Sequence, residues 1–176
     1  MRRARYRLSQ FVTYLWPRPL GPAELAEVER VLGQPLAALF RRQTAGEQAH
    51  SWRVMQIVAQ GAGPYAAQPE LLQAALLHDV GKSRAPLSLV DRTVVVLAGW
   101  LAPKAAERWA EGQRSGWRRP FVTARCHAEW GAKLCAAAGA PPLTVSLVRR
   151  HQTPVTRPAS PEDEMLVLLQ AADDDN

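Results

Sequence analysis

The sequence predicts an all-α protein, folded as a compact bundle of short helices. Three observations predict this class. Helix start signals recur along the chain, each a proline or a hydroxyl residue with acidic residues close behind. Between these signals, apolar residues recur three and four positions apart, as on one face of a helix. No segment shows convincingly the alternation of apolar and polar residues that is typical of a half-buried strand.

The composition indicates one globular domain. The chain has 176 residues, of which 47% are hydrophobic and 22% charged, and a chain of this length buries roughly 70% of its unfolded surface without a disulfide. Its two cysteines, Cys126 and Cys135, form no CxxC pair, which argues against a disulfide scaffold or a cysteine-rich zinc module. We predict a basic N-terminal arm over residues 1–20 and a helical domain over residues 21–176.

The positive charge is concentrated in that arm. The chain has 22 basic and 16 acidic residues, a net charge of +6. Five arginines lie in the first twenty residues, which contain no acid, so the remaining 17 basic residues almost balance the acids. A high isoelectric point would suggest nucleic acid or anionic lipid as a partner. Because the excess lies in a short arm, we expect no nucleic-acid partner.

The arm also contains an apolar run at residues 11–16. Aromatic surface of that size favours burial, so we expect the run to pack on the domain or on a second subunit. A homo-oligomer is therefore one of the two possibilities. No segment approaches the roughly 20 apolar residues of a membrane helix. The run is also too short for the core of a signal peptide, so we expect no membrane partner and a cytoplasmic location.

Each of the first three predicted helices has a start signal. Pro22 and Pro69 suit the first turn of a helix, where a missing N–H costs nothing. Thr44 and Glu47 have the spacing of a capping box, in which each side chain bonds the backbone N–H of the other. The helices are predicted over residues 22–32, 44–57 and 69–77, and they close at Gly33, before Gly61 and at Gly81.

Five more helices are predicted in the second half of the chain, over residues 87–101, 103–111, 123–139, 142–150 and from Ser160 to the end. Taken alone, the valines at 94–96 would suit a strand equally well, because β-branched residues favour extended structure. The last helix has the clearest start. Ser160 is an N-cap residue, Pro161 follows it, and Glu162 and Asp163 face the positive end of the helix dipole. Residues 112–120 and 154–161 are predicted loops.

Histidine and aspartate residues occupy apolar faces of these helices. His50 and His78 each share a helical face with apolar residues, and Asp173 lies on the apolar stripe of the last helix. A buried carboxylate is costly unless it is paired or bound to a metal. His78 and Asp79 are adjacent and about 100° apart around a helix, so they can contact one cluster from two sides.

Taken singly, each of these residues has an ordinary interpretation. A histidine on an apolar face is more often a satisfied core residue than a ligand. His151 could complement a helix C-terminus, and Asp173 could belong to an acidic tail. Their joint order is the stronger observation: His50, His78 with Asp79, His127, His151 and Asp173.

This order resembles the HD-domain superfamily of metal-dependent phosphohydrolases. The segments that carry the resemblance are QAHSWRV at 48–54, AALLHDVGK at 74–82, HAEWG at 127–131, VRRH at 148–151 and LQAAD at 169–173. The resemblance implies a helical bundle of the HD type. It assigns one metal ion to His50, His78, Asp79 and Asp173. In members with two further histidines, here His127 and His151, it assigns a second ion to those histidines, with the doublet aspartate as the bridge.

The resemblance also implies the chemistry of the centre. Imidazole and carboxylate ligands suit divalent iron, manganese, zinc or nickel. A hydroxide that bridges two ions would attack the phosphorus, so that Asp79 would be a catalytic residue and no serine or cysteine nucleophile is required. The expected reaction is hydrolysis of a phosphate ester or anhydride, in a nucleotide or dinucleotide. The alternative is a regulatory protein that binds metal and nucleotide without turnover.

Two cations near the expected ligands are candidates for substrate contact. Lys82 follows the His78–Asp79 pair and could hold a substrate phosphate and offset its developing charge, which makes it a second catalytic candidate. It could equally be an ordinary lysine at a helix end. Arg53 lies one turn beyond His50, and both a salt bridge and a phosphate contact are open for it.

Overall fold

A computed structural model describes residues 18–61, 63–111 and 115–175, and this part of the chain contains helices and no strand. The predicted all-α class is confirmed. The α-helices are α1 (Pro22–Phe40), α2 (Ala45–Gly61), α3 (Pro69–Leu77), α4 (Leu89–Leu101), α5 (Pro103–Ala110), α6 (Arg119–Ala137), α7 (Pro142–Arg150) and α8 (Pro161–Asp174). Short 3-10 turns occupy residues 63–65, 80–84 and 116–118.

Most of the predicted arm lies outside the described residues, and its packing stays a prediction. The described chain begins with Arg18, whose guanidinium donates to the Glu24 carboxylate at the start of α1. Leu20 is partly buried against the core. Within the described residues, none of the helices combines the length and the apolar character that crossing a membrane would need.

The predicted start signals of α2 and α8 are present as hydrogen bonds. The backbone N–H of Thr44 donates to Glu47 Oε2 at 2.9 Å, and the backbone N–H of Glu47 donates to Thr44 Oγ1 at 3.3 Å. In α8 the N–H of Asp163 donates to Ser160 Oγ at 3.2 Å. These caps fix where α2 and α8 begin.

Three helices extend beyond their predicted bounds, among them α2, which runs to Gly61 and not only to 57. Gly33 has a φ of 68°, which breaks α1, but a second helical segment continues to Phe40 and buries Leu36 and Phe40. The prediction ended the helix at Gly33 because a glycine followed by Pro35 is typical of a stop. Core burial restarts the helix instead. Helix α6 begins at Arg119 and not at 123, with Pro120 in its first turn.

Helix α3 lies at the centre of the bundle. It contacts α1, α2, α7 and α8, and five of its residues are fully buried: Leu71, Ala74, Ala75, Leu76 and Leu77. The second half of this helix, residues 74–77, is apolar on all sides and has to be surrounded by other helices. Its C-terminal end therefore places His78 and Asp79 inside the protein.

A close backbone approach joins that end of α3 to α6. The turn at residues 80–84 packs against α6, and a Cβ atom added at Gly81 would lie 1.9 Å from the carbonyl oxygen of His127 and 2.7 Å from the N atom of Gly131. Only glycine fits at this position. The contact brings Asp79 next to His127.

Candidate metal centre

Six side chains from five helices or their ends converge in one place. His50 comes from α2, His78 and Asp79 from the end of α3, His127 from α6, His151 from the end of α7 and Asp173 from α8. They form two groups, each with ligand atoms within 4.8 Å of one another: His50, His78 and Asp173, then Asp79, His127 and His151. The structure thus brings together all six residues that the sequence order singled out.

In the first group, Asp173 lies against two imidazoles. Its Oδ1 is 2.9 Å from His50 Nε2 and 3.5 Å from His78 Nε2. Burial by itself raises the pKa of Asp173, but the two adjacent imidazoles outweigh this effect and hold the pKa well below its usual range. Asp173 is therefore a carboxylate in this group.

Asp79 lies between the two groups. Its Oδ1 is 3.3 Å from His127 Nε2 and 4.0 Å from His151 Nε2, in the second group. Its Oδ2 faces the first group, 3.7 Å from His78 Nε2, and also accepts a hydrogen bond from Lys82 Nζ. One carboxylate thus presents an oxygen atom to each group, as a bridging ligand would.

Backbone carbonyls set the orientation of three imidazole rings. His78 Nδ1 lies 2.9 Å from the carbonyl oxygen of Ala75, His127 Nδ1 lies 2.9 Å from that of Ala124, and His151 Nδ1 lies 2.8 Å from that of Val148. Because a carbonyl can only accept, each Nδ1 carries the proton and donates it. Each ring then directs its Nε2 atom into the centre, which is the arrangement of metal-binding histidines.

These orientations fit divalent cations. His127 Nε2 and His151 Nε2 are 3.2 Å apart, and two acceptor nitrogens cannot bond each other. Burial lowers the pKa of His151 to about 3, which keeps that ring neutral. His78 Nε2 is buried and has no hydrogen-bond partner. Cations shared by these nitrogens and the carboxylates would satisfy all of them, and the nitrogen and oxygen donors suit the metals expected from the sequence.

The charge around His78 supports the same conclusion. Burial lowers the pKa of His78, but the carboxylates of Asp79 and Asp173 raise it to about 9. The two acids therefore create an excess of negative charge at this ring that a proton can neutralise. A divalent cation in the same place would neutralise it as well.

The two groups open into a cavity of about 480 Å³. Its lining includes two cations, Lys82 and Arg92, and apolar residues of α4; the full set is His50, Asp79, Lys82, Arg92, Thr93, Val96, Leu97, His127, His151, Gln152 and Asp173. Burial by itself lowers the pKa of Lys82, but the nearby carboxylates, chiefly that of Asp79, together have the larger, opposite effect. The pKa is raised, and the ammonium keeps its charge. The cavity therefore presents positive charge beside the candidate ligands.

Arg92 is a site residue that sequence reasoning missed. It lies on α4, and its Nη2 donates to Glu47 Oε1 at 2.6 Å. Glu47 is only 1% exposed and also caps α2, three residues before His50. The capping pattern predicted only that Glu47 bonds the backbone near Thr44. No local pattern could predict its ion pair with a residue 45 positions away along the chain.

Arg53 is placed differently from Lys82. It lies on α2, one turn after His50, and burial lowers its pKa. It is not among the described residues that line the cavity. A contact between Arg53 and substrate stays a prediction.

Comparison with known proteins agrees with this geometry. The family model described as HD domain matches residues 48–175, a segment that contains all six candidate ligands together with Lys82 and Arg92. No curated protein and no solved structure matches the chain significantly.

Proposed function

Because the chain belongs to the HD-domain family, whose members are mostly metal-dependent phosphohydrolases, we propose that it hydrolyses a phosphate ester or anhydride at a centre of two divalent metal ions. The observation that carries the proposal is the position of Asp79, with one carboxylate oxygen toward each of two groups of ligands. A centre for a single ion would not need the second group.

The ions would be held by the six converging side chains. His50, His78 and Asp173 would hold one ion, His127 and His151 the other, and Asp79 both. The donor set suits iron, manganese, zinc or nickel. Bound there, divalent ions would lower the pKa of water and polarise a phosphoryl oxygen.

The chain's own residues would bind and orient the phosphate. Lys82 Nζ lies at the cavity wall beside Asp79, where its charge would offset the negative charge that grows on the phosphoryl group. Arg92 lines the same cavity and is held in place by Glu47, so its guanidinium is a further candidate for holding a phosphate oxygen. The carbonyls behind His78, His127 and His151 would keep the rings in position.

The substrate is proposed to be a phosphorylated small molecule. A cavity of about 480 Å³ falls in the usual range for small-molecule sites. A nucleotide or dinucleotide, as the resemblance implies, is the first candidate for the assay.

The test is a hydrolysis assay with manganese-loaded or iron-loaded protein on a panel of phosphomonoesters, phosphodiesters and nucleotide anhydrides. Product release that requires metal and is lost in His78→Ala supports the proposal. Asp174→Ala, an exposed acid next to a candidate ligand, is the matched control and should keep full activity. Tight binding of metal and nucleotide with no turnover on the whole panel would reject the hydrolase and favour the regulatory alternative.

A further inference from the structure

Helix α4 exposes an apolar face to solvent. Val96 is 70% exposed, Leu97 48% and Trp100 82%. The helix packs against α5 and α6, with the less exposed Val95 and Ala98 on its other side. Clustered large apolar residues at the surface mark binding sites more often than scattered ones do.

This face begins inside the metal cavity. Val96 and Leu97 line that cavity, and they also line an adjoining cleft of about 500 Å³ together with Gly99 and Trp100. We call the cleft formed by these four residues the α4 trough. A Cβ atom added at Gly99 would meet no other atom within 4 Å, so the trough is open at this residue. A molecule at the metal ligands can therefore extend into it.

We propose that the α4 trough holds an alkyl chain of the substrate, which makes the substrate an amphiphilic phosphate ester. Its phosphate would lie at the metal ligands with Lys82 and Arg92, and its chain would run along α4. The inference rests on the proposed function and deepens it. The rise of α4 from Val96 to Trp100 is about 6 Å, the length of about five carbon atoms of an extended chain.

The chemistry of the trough favours a chain over a polar group. Of the four residues that form the trough, only Trp100 has a side-chain hydrogen-bond group, its indole N–H. Sugar hydroxyls placed there would gain almost no hydrogen bond from these side chains, whereas each methylene that packs on them is removed from water and adds affinity. The charged groups Lys82 and Arg92 line the metal cavity, which shares Val96 and Leu97 with the trough, and they do not line the trough itself. Polar and apolar halves of one ligand would thus meet matching surfaces.

Binding of alkylphosphonates to the metal-loaded full chain tests the proposal without turnover. Methyl-, butyl- and octylphosphonate share one anionic head and differ only in chain length. We expect calorimetric Kd values to fall by about two- to fourfold for each methylene up to about five carbons, and to level off beyond that. Val96→Ser should flatten this dependence on chain length.

The chain offers a matched control for Val96. Val90 lies on the same helix and is equally exposed, at 71% against 70%, but it lines neither cleft. Val90→Ser should leave the whole series unchanged. Gly99→Leu, which has open space for its side chain, should weaken octylphosphonate about tenfold and spare methylphosphonate.

Four outcomes would reject the proposed alkyl-chain site. A Kd that does not depend on chain length overturns the proposal, as does a Val90→Ser variant that is as impaired as Val96→Ser. A dimer in light scattering that Val96→Ser, but not Val90→Ser, converts to a monomer would identify the face as an interface between copies. Nucleoside monophosphates that bind through Trp100, with no alkyl dependence, would identify base stacking instead.

The inference and the function on which it rests can fail separately. If octylphosphonate binds more tightly than methylphosphonate but methylphosphonate binding does not require metal, the alkyl-chain site is supported and the metal-dependent phosphate site is rejected. If methylphosphonate binds only to metal-loaded protein and Kd does not depend on chain length, the phosphate site is supported and the alkyl-chain site is rejected. If none of the phosphonates binds, both fail.

Discussion

His127 Nε2 and His151 Nε2 lie 3.2 Å apart, and the Nδ1 of each ring donates to a backbone carbonyl one turn earlier. Two acceptor atoms therefore face each other in a buried place, with Asp79 Oδ1 beside them. Such a contact is unfavourable unless a positive charge lies next to it. This pair supports the proposed second ion, because the first group of ligands does not contain it.

Two adjacent acids at the end of α8 are expected to differ in metal binding. Asp173 Oδ1 lies 2.9 Å from His50 Nε2, whereas the next residue, Asp174, is exposed. We expect Asp173→Ala to weaken metal binding by at least about 100-fold, since a carboxylate ligand is lost. Asp174→Ala should bind metal as the native protein does. Competition with a chromophoric chelator measures both affinities, and an empty site in Asp174→Ala would contradict the assigned ligand.

Lys82 is expected to act on substrate. An ammonium is a poor metal ligand but a good partner for phosphate. Lys82→Ala should keep its metal and lose turnover by about 100-fold, the usual effect of removing one group that stabilises developing charge. Lys133→Ala, at an exposed position on α6, is the control. Metal analysis and steady-state rates on one preparation check both points, and full activity in Lys82→Ala would leave the lysine with only a helix-end role.

The ion pair between Arg92 and Glu47 should contribute to stability. Glu47 is 1% exposed, so Arg92→Ala would leave a buried carboxylate without its partner, at a cost of about 3 kcal/mol in the free energy of unfolding. Arg41→Ala breaks an exposed pair with Glu29 and should change stability by less than about 0.5 kcal/mol. Denaturant unfolding measures both. Equal effects would mean that the Glu47 pair behaves like a surface pair.

A double variant tests why Arg92→Ala is expected to lose stability. Glu47→Gln combined with Arg92→Met removes both charges and keeps the volume. It should regain part of the stability lost in Arg92→Ala, because no buried charge is left without a partner. No recovery would indicate that α4 depends on the guanidinium for a different reason.

Local patterns predicted the framework of this protein well. Caps at Thr44 and Ser160 and the proline at the start of α3 are short-range features, and the structure has a helix at each. The order of histidines and aspartates, through its resemblance to the HD-domain superfamily, predicted which residues meet. Arg92 and the α4 trough could not be predicted, because a pair 45 residues apart and the exposure of one helix face are set by tertiary packing.

The N-terminal arm is expected to support the fold and not the reaction. Leu20, at its end, is partly buried against the core, and the apolar run at 11–16 is expected to pack as well. Removal of residues 1–20 should lower the Tm by several degrees, in line with a loss of about 1 kcal/mol or more. Metal content and turnover of the folded protein should stay near normal. Unchanged stability with lost substrate affinity would assign the arm to the active site.

The number of metal ions per chain tests the central claim most directly. Full-length protein saturated with manganese and freed of loosely bound metal should contain about two ions per chain, since six ligands form two groups. His127→Ala and His151→Ala should each retain about one ion, because the group of His50, His78 and Asp173 stays intact. Elemental analysis against protein concentration gives these values. A single tightly bound ion in the native protein, retained unchanged in both histidine variants, would contradict the two-metal centre.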